Sequence, residues 1–259
     1  MTETIAPPSV DLESLRASIR AEYAAVASDP ERGFHFHTGY RLAAMLGYPQ
    51  DWIEWLPAGA VRSMAGTGNP LGLGPVEPGQ RVVDCGSGAG ADALIAARLV
   101  SPGGEVIGID MTEEMLAAAR ANAAAAGVSN VAFRHGFLER LPVSSRWADV
   151  LISNGALNLV PDKAAALREM YRVLRPGGRL QLADIVLDRP VSASSKQDVS
   201  LWTGCIAGGL LEDEIRTLLA DAGFVDIAVV RGGDVFAGAP QHSNAAEFGT
   251  RGVGIRARR

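Results

Sequence analysis

The stretch Arg81-Val82-Val83-Asp84-Cys85-Gly86-Ser87-Gly88-Ala89-Gly90 decides how the rest of the chain is read. A short β-branched run ends in an acid, three glycines alternate behind it, and a helical segment from about Asp92 to Leu99 follows. Glycines are wanted at such a junction because the backbone has to turn tightly and let a ligand approach with no Cβ in the way. Outward from this point, apolar runs and helical segments alternate. The runs RVVDC, GEVIGID, NVAFRHG, ADVLISN, GRLQLADIV and FVDIAVV read as strands. Helical patterns separate them at Glu113 to Ala126, Asp162 to Leu174 and Leu211 to Ala222, with Pro176-Gly177-Gly178 as a stop signal behind the second. Such alternation predicts an α/β fold, a doubly wound, seven-stranded, mostly parallel sheet with helices on both faces. A last strand near Gly252 to Ala257, preceded by a loop, is expected at an antiparallel edge.

Upstream, Leu12, Leu15, Ile19, Tyr23 and Val26 recur at helical spacing, and the stretch from Asp29 to Gly79 is broken by prolines and rich in aromatics (Phe34, Phe36, Tyr40, Tyr48, Trp52, Trp55). Residues 1–78 are therefore expected to form a helical cap on the substrate side, and residues 79–259 the ligand-binding domain. With 47% hydrophobic and 20% charged residues the chain has the balance of a globular protein. Lys and Arg total 24 against 29 Asp and Glu, so no basic field is available for a nucleic acid. Two cysteines, Cys85 and Cys205, make no disulfide framework. No secretory leader and no apolar run of membrane-spanning length is evident, which points to a soluble cytoplasmic protein acting on a small molecule.

Asp110 closes the second strand twenty residues beyond Gly90, where a carboxylate accepts the hydroxyls of a ribose. Two ligands meet this pattern, a dinucleotide such as NAD or S-adenosyl-L-methionine. A pyrophosphate is repelled by Asp84, and a cationic sulfonium with an α-amino group is not. The acid before the first glycine, the Pro-Gly-Gly turn, Ala222-Gly223-Phe224 and the extra terminal strand together resemble class I S-adenosylmethionine-dependent methyltransferases. That resemblance implies that Asp84, Gly86, Gly88 and Gly90 line the methionine and ribose end, that Asp110 holds the ribose and that Met111 packs on the adenine. It further implies that Gly136, Phe137 and Leu138 flank the adenine edge and that the backbone of Asn154 holds the methionine portion. Core packing is the alternative for Met111, Phe137 and Leu138.

Ile109-Asp110-Met111-Thr112-Glu113-Glu114-Met115-Leu116, Ile152-Ser153-Asn154-Gly155-Ala156-Leu157-Asn158-Leu159, Gly66-Thr67-Gly68-Asn69-Pro70 and Thr203-Gly204-Cys205-Ile206-Ala207-Gly208 resemble, more narrowly, segments of arsenite methyltransferases. Members that methylate arsenite hold the soft As(III) with cysteine thiolates, and the resemblance puts three of them at positions 67, 155 and 205. Here they are Thr67, Gly155 and Cys205, and a single sulfur gives no chelation. The chain is thus expected to transfer a methyl group to a soft acceptor, either arsenite, a thiol-bound metalloid or a thiol, releasing S-adenosyl-L-homocysteine. The alternatives are a small organic hydroxyl or amine as acceptor, a silent S-adenosylmethionine-binding protein, or a NAD-dependent oxidoreductase. Cys205 has both readings, substrate thiolate or buried small side chain; Cys85 reads as core. His35 and His37 lie on one side of an extended segment and, with Tyr23 and Asp184, are the candidate bases should the acceptor carry a proton. No bound metal is expected, there being no third ligand near the histidines. The Glu139, Arg140 and Arg146 cluster and the arginines of the C-terminus read as solvated surface.

Overall fold

The computed structural model describes residues 11–192, 197–203, 206–240 and 242–259. Cys205, and with it the reading of its thiol, lies outside the described residues. Helix α1 (Leu12–Ser28) starts where the Asp11 carboxylate accepts the Ser14 N–H at 3.0 Å, an N-cap that satisfies an otherwise orphan donor. Short helices α2 (Gly39–Met45), α3 (Gln50–Trp55) and α4 (Ala58–Arg62) follow, then a 3-10 turn at Pro70–Leu73. The regular part runs β1 (Arg81–Cys85), α5 (Ala91–Leu99), β2 (Glu105–Asp110), α6 (Glu113–Ala125), β3 (Val131–His135), β4 (Ala148–Asn154), α7 (Lys163–Val173) and β5 (Leu174–Leu187). It continues through α8 (Val199–Thr203), β6 (Leu210–Leu211), α9 (Glu212–Asp221), β7 (Val225–Arg231), α10 (His242–Phe248) and β8 (Arg251–Arg258).

The sheet order is β3-β2-β1-β4-β5-β8-β7, with β6 paired to β5. β1 pairs in parallel with both β2 and β4, so the connections diverge there and leave a crevice at the carboxyl ends of those strands. Side chains alternate across the sheet with period two. Val83, Cys85, Ile107, Ile109 and Leu151 join the core under α7 and α9, whereas Val82, Val106, Val150 and Ile152 join the core with Leu94, Ala96 and Leu116 of α5 and α6. Burial on both faces is what a parallel sheet requires, and it explains the near-continuous apolar runs.

Four expectations need correcting. The terminal strand is not an edge: β8 runs antiparallel between β5 and β7, its Val253, Ile255 and Ala257 are buried, and the half-exposed β7 is the edge instead. The segment before it holds α10 as well as loop. The Pro-Gly-Gly turn does not precede β5 but interrupts it, since Ala148 pairs with Leu174 and the register then shifts so that Val150 faces Arg179. The C-terminal arginines are not simply solvated. Arg259 donates to the carbonyls of Tyr171, Arg172 and Leu174 and lies over the Tyr171 ring, while Arg251 is ion-paired with Asp188.

The aromatics of the N-terminal segment divide between two tasks. Tyr48, Trp52 and Trp55 pack onto the α5/α6 side of the core. Tyr23, Phe34 and Phe36 form a stack, with ring centroids 6.0 Å apart for Tyr23 and Phe36 and 5.7 Å for Phe34 and Phe36, beside the crevice. Helix α1 brings them there by seating Leu15, Ile19 and Val26, all fully buried, and packing on α6 and α8.

Candidate active site

A cleft of about 1340 Å³, counting its solvent-open part, occupies the crevice. Its floor comes from the ends of β1, β2 and β4, and its roof from α1, Phe36, His37, the 63–67 segment and Phe236. Gly86 turns the chain out of β1 with φ +77°, and a Cβ there would lie 2.4 Å from the Ala156 methyl, so nothing larger than glycine fits. The Gly86 and Ser87 amides donate to Ile109 O at 2.8 and 2.9 Å, which fastens the loop across to β2. Asp110 continues that link: its Oδ2 accepts from Gly88 N and its Oδ1 from Thr112 N, each at 2.9 Å.

Three carboxylates, Asp84, Asp92 and Asp110, line this half of the cleft. Burial raises the pKa of all three. For Asp84 the negative charges of Asp92 and Asp110 add to that effect, and the Ala93 N–H opposes it. Asp84 Oδ2 and Ser87 Oγ are buried with no hydrogen-bond partner among the described residues. Buried acids without a cation, and an orphan oxygen, suit a ligand that brings positive charge and N–H donors. The same acids oppose a pyrophosphate: Asp92 stands in the first turn of α5, where a dinucleotide would place its phosphates. The donor set fits the sulfonium and ammonium of S-adenosylmethionine and disfavours NAD.

Of the residues singled out by sequence, Asp84, Gly86, Gly88, Asp110, Met111, Gly136, Phe137, Leu138, Asn154, Tyr23 and His37 line one cleft. Gly90 does not; it begins α5 with φ +92°, and a Cβ there would press on Phe133 at 3.0 Å, so its role is helix-to-strand packing. The two histidines do not converge. His35 Nε2 donates to Thr203 O at 3.0 Å and its Nδ1 lies 3.5 Å from Glu22 Oε1, outside the cleft lining, whereas His37 Nε2 donates to Ala237 O at 3.0 Å. Among the described residues no group of three or more His, Cys, Asp and Glu is placed to hold a metal. Asp184 is buried away from the cleft and accepts from Asn158 N, Asn158 Nδ2 and Ile185 N. Glu139 is no solvated loop residue: it lines the cleft and pairs with Arg16 at 2.9 Å. Cys85 is buried in the core, as read, and burial raises its thiol pKa.

Sequence reading missed Tyr48 and Asp92. The Tyr48 hydroxyl donates to Asp92 Oδ1 at 2.7 Å, and its pKa is raised, first by burial. Asp92 carried a signal, an acid in the first turn after a glycine loop, although that spot also suits any helix dipole. Tyr48 carried none, being 44 residues away.

Residues 76–223 match the family model described as a methyltransferase domain, more than half of the chain. The chain belongs to the methyltransferase-domain family. Within it, the chain is similar to arsenite methyltransferases. The one from Halobacterium salinarum is 41% identical over 184 residues, covering 71% of this chain and 47% of that protein. The one from Aquipseudomonas alcaligenes is 41% identical over 170 residues, covering 61% and 49%. The chain therefore spans about half the length of these two relatives. In structure it resembles an arsenic(III) S-adenosylmethionine methyltransferase from Chlamydomonas reinhardtii, with TM-score 0.60 and 31% identity over 86% of this chain and 74% of that one. Among the described residues no helix is long and apolar enough to cross a membrane.

Proposed function

We propose that this methyltransferase moves a methyl group from S-adenosyl-L-methionine to a soft small-molecule acceptor, of which As(III) carried on small thiols is the favoured class. The observation that carries the reading is the pairing of positions 67 and 155. A Cβ at Gly155 would lie 3.5 Å from Thr67 Cγ2, and both residues line the cleft beside its acidic half. The positions at which the resemblance puts two thiols thus adjoin one another on the wall where an acceptor has to sit. The place is kept and the sulfurs are gone, so a metalloid has to arrive with ligands of its own. A second reading, an organic hydroxyl or amine, is favoured by one specific feature: Thr67 Oγ1 is buried without a partner among the described residues, and a polar acceptor gives it one after a side-chain rotation.

When bound, the cofactor supplies a methyl carbon on a sulfonium that departs as a neutral thioether. The residues of the chain then have three tasks. Asp110 and the glycine loop orient the donor; Asp84 and Asp92 hold its positive end by charge. Ile19, Phe36, Leu159, Val160 and Phe236 keep water out, and the site acts through alignment with no acid on the leaving group. The test is S-adenosylhomocysteine release from the full chain with arsenite plus glutathione, and with a panel of thiols, phenols and amines, for wild type and Cys205→Ser. Turnover with arsenite supports the first reading, and its collapse in the variant makes Cys205 the one protein ligand. Release with an organic acceptor alone replaces the first reading by the second.

A further inference from the structure

We propose that the Asn154 side chain is a positioning residue, an amide clamp that holds the 66–68 loop in register with the cofactor half of the cleft. The proposal rests on the reading above in one respect, that Thr67 belongs to the acceptor wall. Asn154 ends β4 at the crevice. Its Oδ1 accepts the Thr67 N–H at 2.8 Å and the Gly68 N–H at 3.3 Å. Its Nδ2 faces Gly68 O at 2.9 Å, Tyr48 Oη at 3.0 Å and Asp92 Oδ2 at 3.1 Å. One side chain therefore joins the backbone of the acceptor wall to a carboxylate of the cofactor wall, and Tyr48 braces that carboxylate from the other side.

The fit is close. A Cβ on Gly66 would lie 2.5 Å from Asn154 Oδ1, so the loop reaches the amide only because residue 66 has no side chain. A Cβ on Gly68 would meet the Ala183 methyl at 2.8 Å, which seats the far end of the loop on β5. An amide is the group this position demands, because it accepts from two backbone N–H groups on one side and donates to a carboxylate on the other. A carboxylate at 154 keeps the two bonds from the Thr67 and Gly68 N–H groups, but it loses the donation to Gly68 O and faces Asp92 with like charge; a methyl keeps none of these contacts.

The experiment uses the full chain. Amide hydrogen exchange at Thr67 and Gly68 is measured by NMR alongside S-adenosylhomocysteine affinity and the KM of whichever acceptor turns over. In Asn154→Ala both amides are expected to exchange about 10-fold faster or more, and the KM for arsenite with glutathione to rise by about 10-fold, with a smaller rise in the S-adenosylhomocysteine Kd because Asp92 loses one of its donors. Asn154→Asp is expected to lose protection, and combining it with Asp92→Asn, which restores a donor opposite an acceptor, to regain much of it. Unchanged exchange in Asn154→Ala overturns the clamp, as does a loss of cofactor affinity equal to the rise in acceptor KM, the mark of a general lesion. Should Asn154→Ala not fold, the single and double Asp variants decide the matter, and absence of recovery in the double variant overturns it. If wild type binds S-adenosylhomocysteine but turns over no acceptor, the proposed function has failed while the exchange rates still judge the clamp.

Discussion

The two halves of the cleft are built on different principles. In the cofactor half, main-chain groups meet close partners on neighbouring strands: the loop after β1 bonds to the Ile109 carbonyl and the Asp110 carboxylate, and that carboxylate bonds to the Thr112 N–H two residues on. In the acceptor half the groups that meet come from far apart in the chain, as Thr67 and Gly68 do with Asn154. A half made of turns and main-chain bonds tolerates few residue types, whereas one made of side chains on separate segments changes its chemistry one residue at a time. That contrast accounts for an intact glycine loop beside an acceptor wall holding Thr67 and Gly155.

The largest effect expected from the contrast is at Asp110. Asp110→Ala removes two charge-assisted bonds and the acceptor for a ribose, and S-adenosylhomocysteine is expected to bind about 100-fold more weakly or worse by calorimetry. An affinity within tenfold of wild type would break the division proposed for the cleft. Asp84 is the next test, and there the two properties should move in opposite directions. Its carboxyl pKa is raised above the ordinary 3.8, so the folded chain binds more protons than the unfolded one between that value and the folded pKa. Stability without ligand is accordingly present at low pH and lost as pH rises through that window. Asp84→Asn removes this charge cost: thermal stability near neutral pH should increase by roughly 1 kcal/mol, about 2–4 °C, and the fall with pH should flatten. Cofactor affinity should drop by about 10-fold in the same variant, since the charge that destabilises the empty cleft is the one that holds a cation.

The same division explains what could be read from sequence. Residues 81–90 and 105–110 act through glycine geometry and a carboxylate at a fixed interval, and both are local patterns that survive without a structure. The order of the last two strands was not local. Nothing in GVGIRA distinguishes an edge strand from an inserted one, because the answer depends on β7 leaving room beside β5. The pairing of Tyr48 with Asp92, and of Asn154 with Gly66 to Gly68, likewise depends on where a proline-broken segment crosses the sheet. His35 and His37 part company because alternate spacing puts them on one side only if the segment stays extended: His37 lines the cleft and His35 does not. Their rings engage the carbonyls of Thr203 and Ala237.

The acceptor wall should yield to substitution more gently. Thr67→Cys restores one thiol next to the cleft, and arsenite affinity is expected to increase by about 10-fold, read by competition with a fluorescent dithiol probe. Gly155→Cys adds a second sulfur beside it but forces a side chain onto φ +68°, at a cost of about 1–3 kcal/mol in stability. The double variant should therefore bind arsenite more tightly than either single one while melting lower. No gain from Thr67→Cys would separate positions 67 and 155 from the acceptor altogether.

The smallest effect concerns what holds the roof down. Arg16 reaches Glu139 at 2.9 Å and its guanidinium lies 4.8 Å from the Phe137 ring centroid, which ties α1 to the adenine side of the cleft. Yet Arg16 is 31% exposed, and pairs of that kind contribute less than about 1 kcal/mol, declining with salt. The apolar seat of α1 is of another order: Leu15, Ile19 and Val26 are fully buried, and truncating such side chains costs about 2–5 kcal/mol each. Arg16→Ala is thus expected to change cofactor affinity by no more than about fivefold at low salt and less at high salt. Ile19→Ala should alter both affinity and melting temperature clearly. The reverse ranking would mean that the roof is latched by charge, and the cofactor side of the cleft would then open and close with ionic strength instead of standing fixed.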